Sequence, residues 1–210
     1  MHMTLKFISG MSNVKAILLA LTFIFAVNAT AGSPNKNRNP ISDWIEEQFY
    51  AHQNETWEQR VRRLMQRNLE DIGGAKQAVA DKQVKCLAEN VYYESRGESL
   101  QGQVAVAKVT LNRLDEGYAN TVCGVVKQGC QFSWTCLPSR GFPSGQHWHQ
   151  AVGVALVTLN NKEQVEDPTN GATHFHASYI NWKPAWRRVK DSVSQIGRHV
   201  FYRIKPKEEK

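Results

Sequence analysis

One stretch, from Cys86 to Arg113, constrains this chain most, because it hangs an acidic, aromatic-flanked turn between two helical patterns. The patterns read as helices over about Ala75–Ser95 and Leu100–Leu114, with Gly97 interrupting them and Ser99 placed to cap the second. Three carboxylates, Glu89, Glu94 and Glu98, lie close together here. At about 100° per residue, Glu89 and Glu94 sit about 140° apart around a helix and cannot point into one cleft. Glu94 and Glu98 are spaced to share a face, but the glycine between them puts Glu98 in the turn, where it is placed to bond backbone amides. Glu94 is therefore the candidate reactive acid. Tyr92 and Tyr93 beside it, with Phe132 and Trp134 from a later loop, would supply low-dielectric surroundings that raise a carboxyl pKa and suit it to general-acid work. The competing reading is a structural ion pair between Glu94 and Arg96. Phe132 reads as core in its own right.

Around this centre the chain organises simply. Gly32 to Pro40 is polar and proline-bearing and reads as a linker, and Ser42 or Asp43 can cap a first helix carrying Trp44, Ile45, Gln48 and Phe49. A second amphipathic run places Trp57, Val61, Leu64, Met65, Leu69 and Ile72 on one stripe and ends at Gly73-Gly74. Asp115 to Gln146 reads as a Gly- and Cys-rich loop region. His147–Asn160 looks helical, Thr173–Tyr179 is a short strand, and Arg187–Gly197 is ambiguous. The expected boundaries are a leader over 1–31, a linker over 32–40, a helical extension over 41–81, one main domain over 82–205 and a charged tail over 206–210. At 210 residues the chain has room for one ordinary core and little for a second.

The leader follows the basic, apolar, small-x-small order of a secretory signal: Lys15, then Ala16 to Val27, then Ala29-Thr30-Ala31. Its apolar run is short for a bilayer span. A buried first helix and an uncleaved anchor are the alternatives. Removing it takes away Lys6 and Lys15 and no acid, so the formal net charge falls from +7 to +5. From Thr169 to Lys210 there are nine Lys or Arg against three acids, which makes this end the positive pole. An exported positive pole suits an anionic envelope polymer better than nucleic acid, for which no motif is present; a merely solvating face is the bland reading. Cys86, Cys123, Cys130 and Cys136 all fall within 51 residues. Two disulfides are expected in an exported chain, and three connectivities are open; Cys86–Cys123 with Cys130–Cys136 is favoured, the second closing a short loop. A zinc site would want a Cys-x-x-Cys spacing that is missing.

The blocks Glu94-Ser95-Arg96-Gly97-Glu98, Gly102 to Ala107 and Leu111-Asn112-Arg113 resemble the core motif of the SleB-type cell wall hydrolases, a family acting on bacterial peptidoglycan that includes spore-cortex-lytic enzymes. Further matches follow in order: Thr121 to Val126, Gln131-Phe132-Ser133-Trp134, Gly171 to His176 and Ile196 to Tyr202. The resemblance covers about residues 84–204. Ser95 stands where the family commonly has Ala, and residues 41–80 do not look like the wall-binding repeat some members carry. The resemblance implies a predominantly helical α+β fold, lysozyme-like with a small β lobe. It also implies an enzyme with peptidoglycan as partner; the leader makes the periplasm or cell envelope the expected location, with the membrane engaged only through an uncleaved leader, and a monomer without cofactor is expected. Glu94 would be its catalytic acid, protonating the glycosidic oxygen between N-acetylmuramic acid and N-acetylglucosamine. As a lytic transglycosylase it would give 1,6-anhydro products, whether in wall remodelling or in phage-driven lysis.

Carboxylate placement agrees with a single-acid mechanism. Hydrolysing glycosidases usually use two acids, about 5–5.5 or 6.5–9.5 Å apart. Between Asn120 and Lys162 there is no Asp or Glu, so a second acid would come from Glu98, Asp115, Glu116, Glu163, Glu166 or Asp167. Gln131, Ser133 and Trp134 are expected to bind sugar rings, with His174, His176 and Tyr179 across from them, while Arg96, Glu98 and Asn112 support the site. Three other readings stay open: a hydrolytic muramidase or glucosaminidase, a non-catalytic wall-binding module, and a zinc amidase using His147-Trp148-His149 and His174-Phe175-His176, where alternate strand residues share a face.

Overall fold

In the computed structural model the described residues are Ile41, 54–137, 141–180 and 190–204. The leader, the linker, the helix expected near 42–49 and the charged tail lie outside them. Helix α1, Trp57–Asp71, opens with a reciprocal cap: Thr56 Oγ1 accepts from the Gln59 N–H at 3.2 Å, and Gln59 Oε1 accepts from the Thr56 N–H at 2.8 Å. Its apolar stripe buries Val61, Leu64 and Met65. A single turn, α2, covers Ala75–Ala78, and α3 runs Lys82–Ser95. The one helix expected over 75–95 is thus two. Asp81 makes the break, because its carboxylate accepts from the Gln83 N–H at 2.7 Å and starts a new helix there.

Helix α4, Leu100–Asp115, is capped by Ser99 Oγ as expected and is buried on nearly every side. The expected loop over 115–146 holds two elements that the sequence reading missed. These are α5, Val122–Lys127, capped by Thr121, and a 3₁₀ turn at Ser133–Cys136. Six residues are too few to display a helical period. Helix α6, Gly145–Asn160, starts two residues before the expected His147.

Among the described residues three antiparallel strands follow in the spatial order β1–β3–β2: β1 His174–Ala177, β2 Lys190–Ile196 and β3 His199–Ile204. The ambiguous 187–197 stretch therefore contributes β2. Registers are His174 opposite Tyr202 and Ser192 opposite Tyr202, with a shift between Ser192 and Ser194. Glu55–Lys210 form one unit with a main core among α1, α3, α4 and α6, and a smaller cluster of Ala105, Val109, Ala172 and Phe201 that seats the sheet on α4. The result is the expected helical α+β fold with a small β lobe. Both favoured disulfides are formed, Cys86–Cys123 joining α3 to α5 and Cys130–Cys136 closing the loop around the 3₁₀ turn.

Candidate active site

The last turn of α3 carries Glu94, half-buried. Ser95 beside it is buried and donates its hydroxyl to Val91 O at 2.8 Å, so the helix end is held from within. One turn before Glu94, Asn90 is fully buried between two partners. Its Nδ2 donates to Thr110 Oγ1 of α4 at 3.0 Å, and its Oδ1 accepts from Trp134 Nε1 at 2.9 Å. Trp134 in turn stacks on Tyr93, with centroids 4.6 Å apart. An unbroken polar chain therefore runs from α4 through α3 to the 3₁₀ turn and stands the indole beside the helix end that bears Glu94. Tyr93 also donates to Gly141 O at 2.8 Å.

Arg113 joins this group from α4. It is 4% exposed, with its guanidinium 4.8 Å over the buried Phe132 ring and its Nε donating to Thr173 O, next to His174, at 2.6 Å. Burial pushes its pKa down to about 10, against the opposing influence of Tyr118 and Glu94, so it remains a cation at neutral pH. Nη1 is buried with no hydrogen-bond partner. In the sequence Arg113 stands out only as the end of the Leu111-Asn112-Arg113 block. Its signal was a charged residue in a helix whose other faces are apolar, which must find partners inside the fold.

The other expected residues lie apart from one another. His174 Nδ1 lies 3.0 Å from Thr173 Oγ1, and His176 is held by Ala177 O at 2.9 Å and the Tyr202 hydroxyl at 3.0 Å. Both imidazoles are half-buried on one face of β1. Gln131, Ser133 and Tyr179 stay at the surface, Tyr179 being 71% exposed and Gln131 bonded to Gln128. Arg96 lies over the Tyr92 ring at 4.9 Å, and Asn112 ties α4 to the segment before β1 through Asp167 Oδ2 and Ala172 O, both at 2.9 Å. Asp167 further accepts from Thr169 and Gly171, and Asp115 pairs with Lys162 at 2.7 Å. The shared-face argument fails for His147 and His149, which sit on helix α6, where residues two apart diverge by about 200°. Among the described residues no three His, Cys, Asp or Glu side chains are grouped to hold a metal.

Residues 97–202 match the family model described as Cell Wall Hydrolase. The span begins three residues past Glu94. The chain is 31% identical over 141 residues to a spore cortex-lytic enzyme of Oceanobacillus iheyensis, covering 63% of this chain and 47% of that one. It is 30% identical over 138 residues to a spore cortex-lytic enzyme of Halalkalibacterium halodurans, covering 64% and 38%. It thus spans about half the length, or less, of these curated relatives. Among solved structures it is similar to the catalytic domain of the germination-specific lytic transglycosylase SleB from Bacillus anthracis. That likeness has a TM-score of 0.45 and 27% identity, covering 59% of this chain and 95% of that one.

Proposed function

The chain belongs to the cell wall hydrolase family, and from that premise we propose that it cleaves the glycan backbone of peptidoglycan as a lytic transglycosylase with Glu94 as its acid. The observation that carries the reading is the setting of Glu94: half-buried, at the end of α3 and beside the stacked Tyr93–Trp134 pair. Protonated Glu94 gives its proton to the bridging oxygen between N-acetylmuramic acid and N-acetylglucosamine as the bond from that oxygen to the muramoyl C1 breaks. The resulting carboxylate takes the proton of the muramoyl C6 hydroxyl while that oxygen bonds to C1. The acid is regenerated, no water is consumed, and a 1,6-anhydro ring closes the product.

A tethered hydroxyl needs no second carboxylate to activate it, since intramolecular attackers reach effective concentrations of about 10⁵–10⁸ M. This fits the engagement of Asp115 and Asp167 in structural contacts. Trp134, Gln131 and Ser133 would offer stacking and hydrogen bonds to sugar rings, with His174, His176 and Tyr179 opposite them. The same reading has the protein exported by its leader, for remodelling of a wall or for its lysis.

Changing Glu94 to Gln tests it. The variant should bind murein sacculi and fail to digest them, and mass spectrometry of the parent's digest should give anhydro muropeptides. Products one water heavier would make the enzyme a hydrolase, released stem peptides would point to an amidase, and undiminished lysis by the variant would move the acid elsewhere.

A further inference from the structure

The turn after Glu94 holds a second carboxylate in unusually close surroundings. The Glu98 side chain is 7% exposed. Its Oε2 accepts from the Arg198 backbone N–H at 3.1 Å and its Oε1 from Arg198 Nε at 2.8 Å. Arg198 lies a hundred residues away, in the two-residue turn between β2 and β3. Three glycines make the approach possible. A Cβ on Gly197 would run into Glu98 Oε2, one on Gly97 would come within 3.2 Å of Arg198 Nη2, and one on Gly102 would lie 2.8 Å from Glu98 Cβ. Gly197 also has a left-handed backbone, φ +52°, which side-chain-bearing residues rarely adopt.

The backbone of Glu98 continues the connection. Its N–H donates to Ser95 O at 2.9 Å, and its own carbonyl accepts from Gln103 Nε2 at 3.1 Å. Ser95 directly follows Glu94. One hydrogen bond therefore separates the carboxylate clasped by the β2–β3 turn from the end of the helix that carries the acid. An exposed ion pair alone would contribute little. Here the bond to a backbone N–H and the glycine-lined fit make the contact geometric.

We propose that Glu98 is a positioning residue for Glu94: its carboxylate latches the α3–α4 turn onto the β2–β3 turn and so sets where the end of α3 stands relative to the sheet. The inference rests on the reading of Glu94 as the acid. A general acid must lie within hydrogen-bond reach of the atom it protonates, and a misplacement of about 1 Å can cost about a hundredfold in rate. The latch acts on the chemical step and not on the capture of substrate.

The test compares E98Q, G197A, R198M and R198K with the parent and E94Q, using the whole protein on murein sacculi, with a thermal melt of each variant. E98Q and G197A are expected to lower kcat by about tenfold or more with apparent KM within about twofold, while still fully folded at the assay temperature. R198K should recover most of what R198M loses. Folded E98Q with an unchanged kcat, a change confined to KM, or losses that follow the folded fraction alone would each overturn the latch. An inactive E94Q beside an unaffected E98Q would sink only the latch; a fully active E94Q would sink the reading of Glu94 and the latch with it.

Discussion

Arg113 shows how much one buried charge can organise. Its Nε is committed to the Thr173 carbonyl and its guanidinium lies against Phe132 and Tyr118, so the aromatic loop and the start of β1 share one cation. Glu98 obeys the same rules in another balance. Burial pushes its pKa up, but the hydrogen bonds from the Arg198 backbone and guanidinium, with the charges of His199 and Arg198, hold it below the usual carboxylate value. A folded value below the unfolded one, about 4.3, means that its contribution to stability is complete above that pH and is lost as pH falls through the folded value. Thermal midpoints measured from pH 5 downward should accordingly drop more steeply for the parent than for E98Q. Parallel slopes would show that Glu98 carries no linked stability.

Among the elements, the two disulfides do different work. Cys86–Cys123 spans 37 residues and fastens α3 to α5, whereas Cys130–Cys136 spans 6 and closes the loop that presents Trp134. By chain entropy the longer bridge stabilises by about 4 kcal/mol and the shorter by about 2 kcal/mol. Replacing each pair with alanine and titrating with denaturant should reproduce that order. The shorter bridge should matter more for lysis than for stability, because the indole it holds stands beside Glu94. An equal loss of activity from both pairs would refute that division. Element boundaries were legible in the sequence where a cap stood before a long periodic run, as at Ser99. The break at Asp81 and the short helix after Thr121 were missed because each offers one capping side chain and too few residues for a period.

Across the whole molecule, α1 lies outside the span matched to the family, yet Val61, Leu64 and Met65 belong to the same core as α3, α4 and α6. The contact is close: a Cβ on Gly153 of α6 would sit 2.8 Å from Met65 Cε. Burying these three side chains is worth about 1.5–3 kcal/mol each, together comparable to the net stability of an ordinary domain, about 5–15 kcal/mol. A chain beginning at Ala75 should therefore lose cooperative melting in circular dichroism. If it melts near the parent temperature, α1 is dispensable.

The sequence alone determined what depends on neighbours within a turn or two. It set the amphipathic stripe of α1, the cap at Ser99 and the isolation of Glu94 from Glu89. These follow from backbone geometry and helical period, which act over a few residues. Only the tertiary structure decided which cysteine meets Cys86, brought Arg113 to Phe132 and Thr173, joined Asn90 to Trp134 and closed Glu98 onto Arg198. Those contacts bridge tens of residues to a hundred, and their geometry is set by how α4 packs between the helical core and the sheet, a property of the assembled chain that no local pattern encodes.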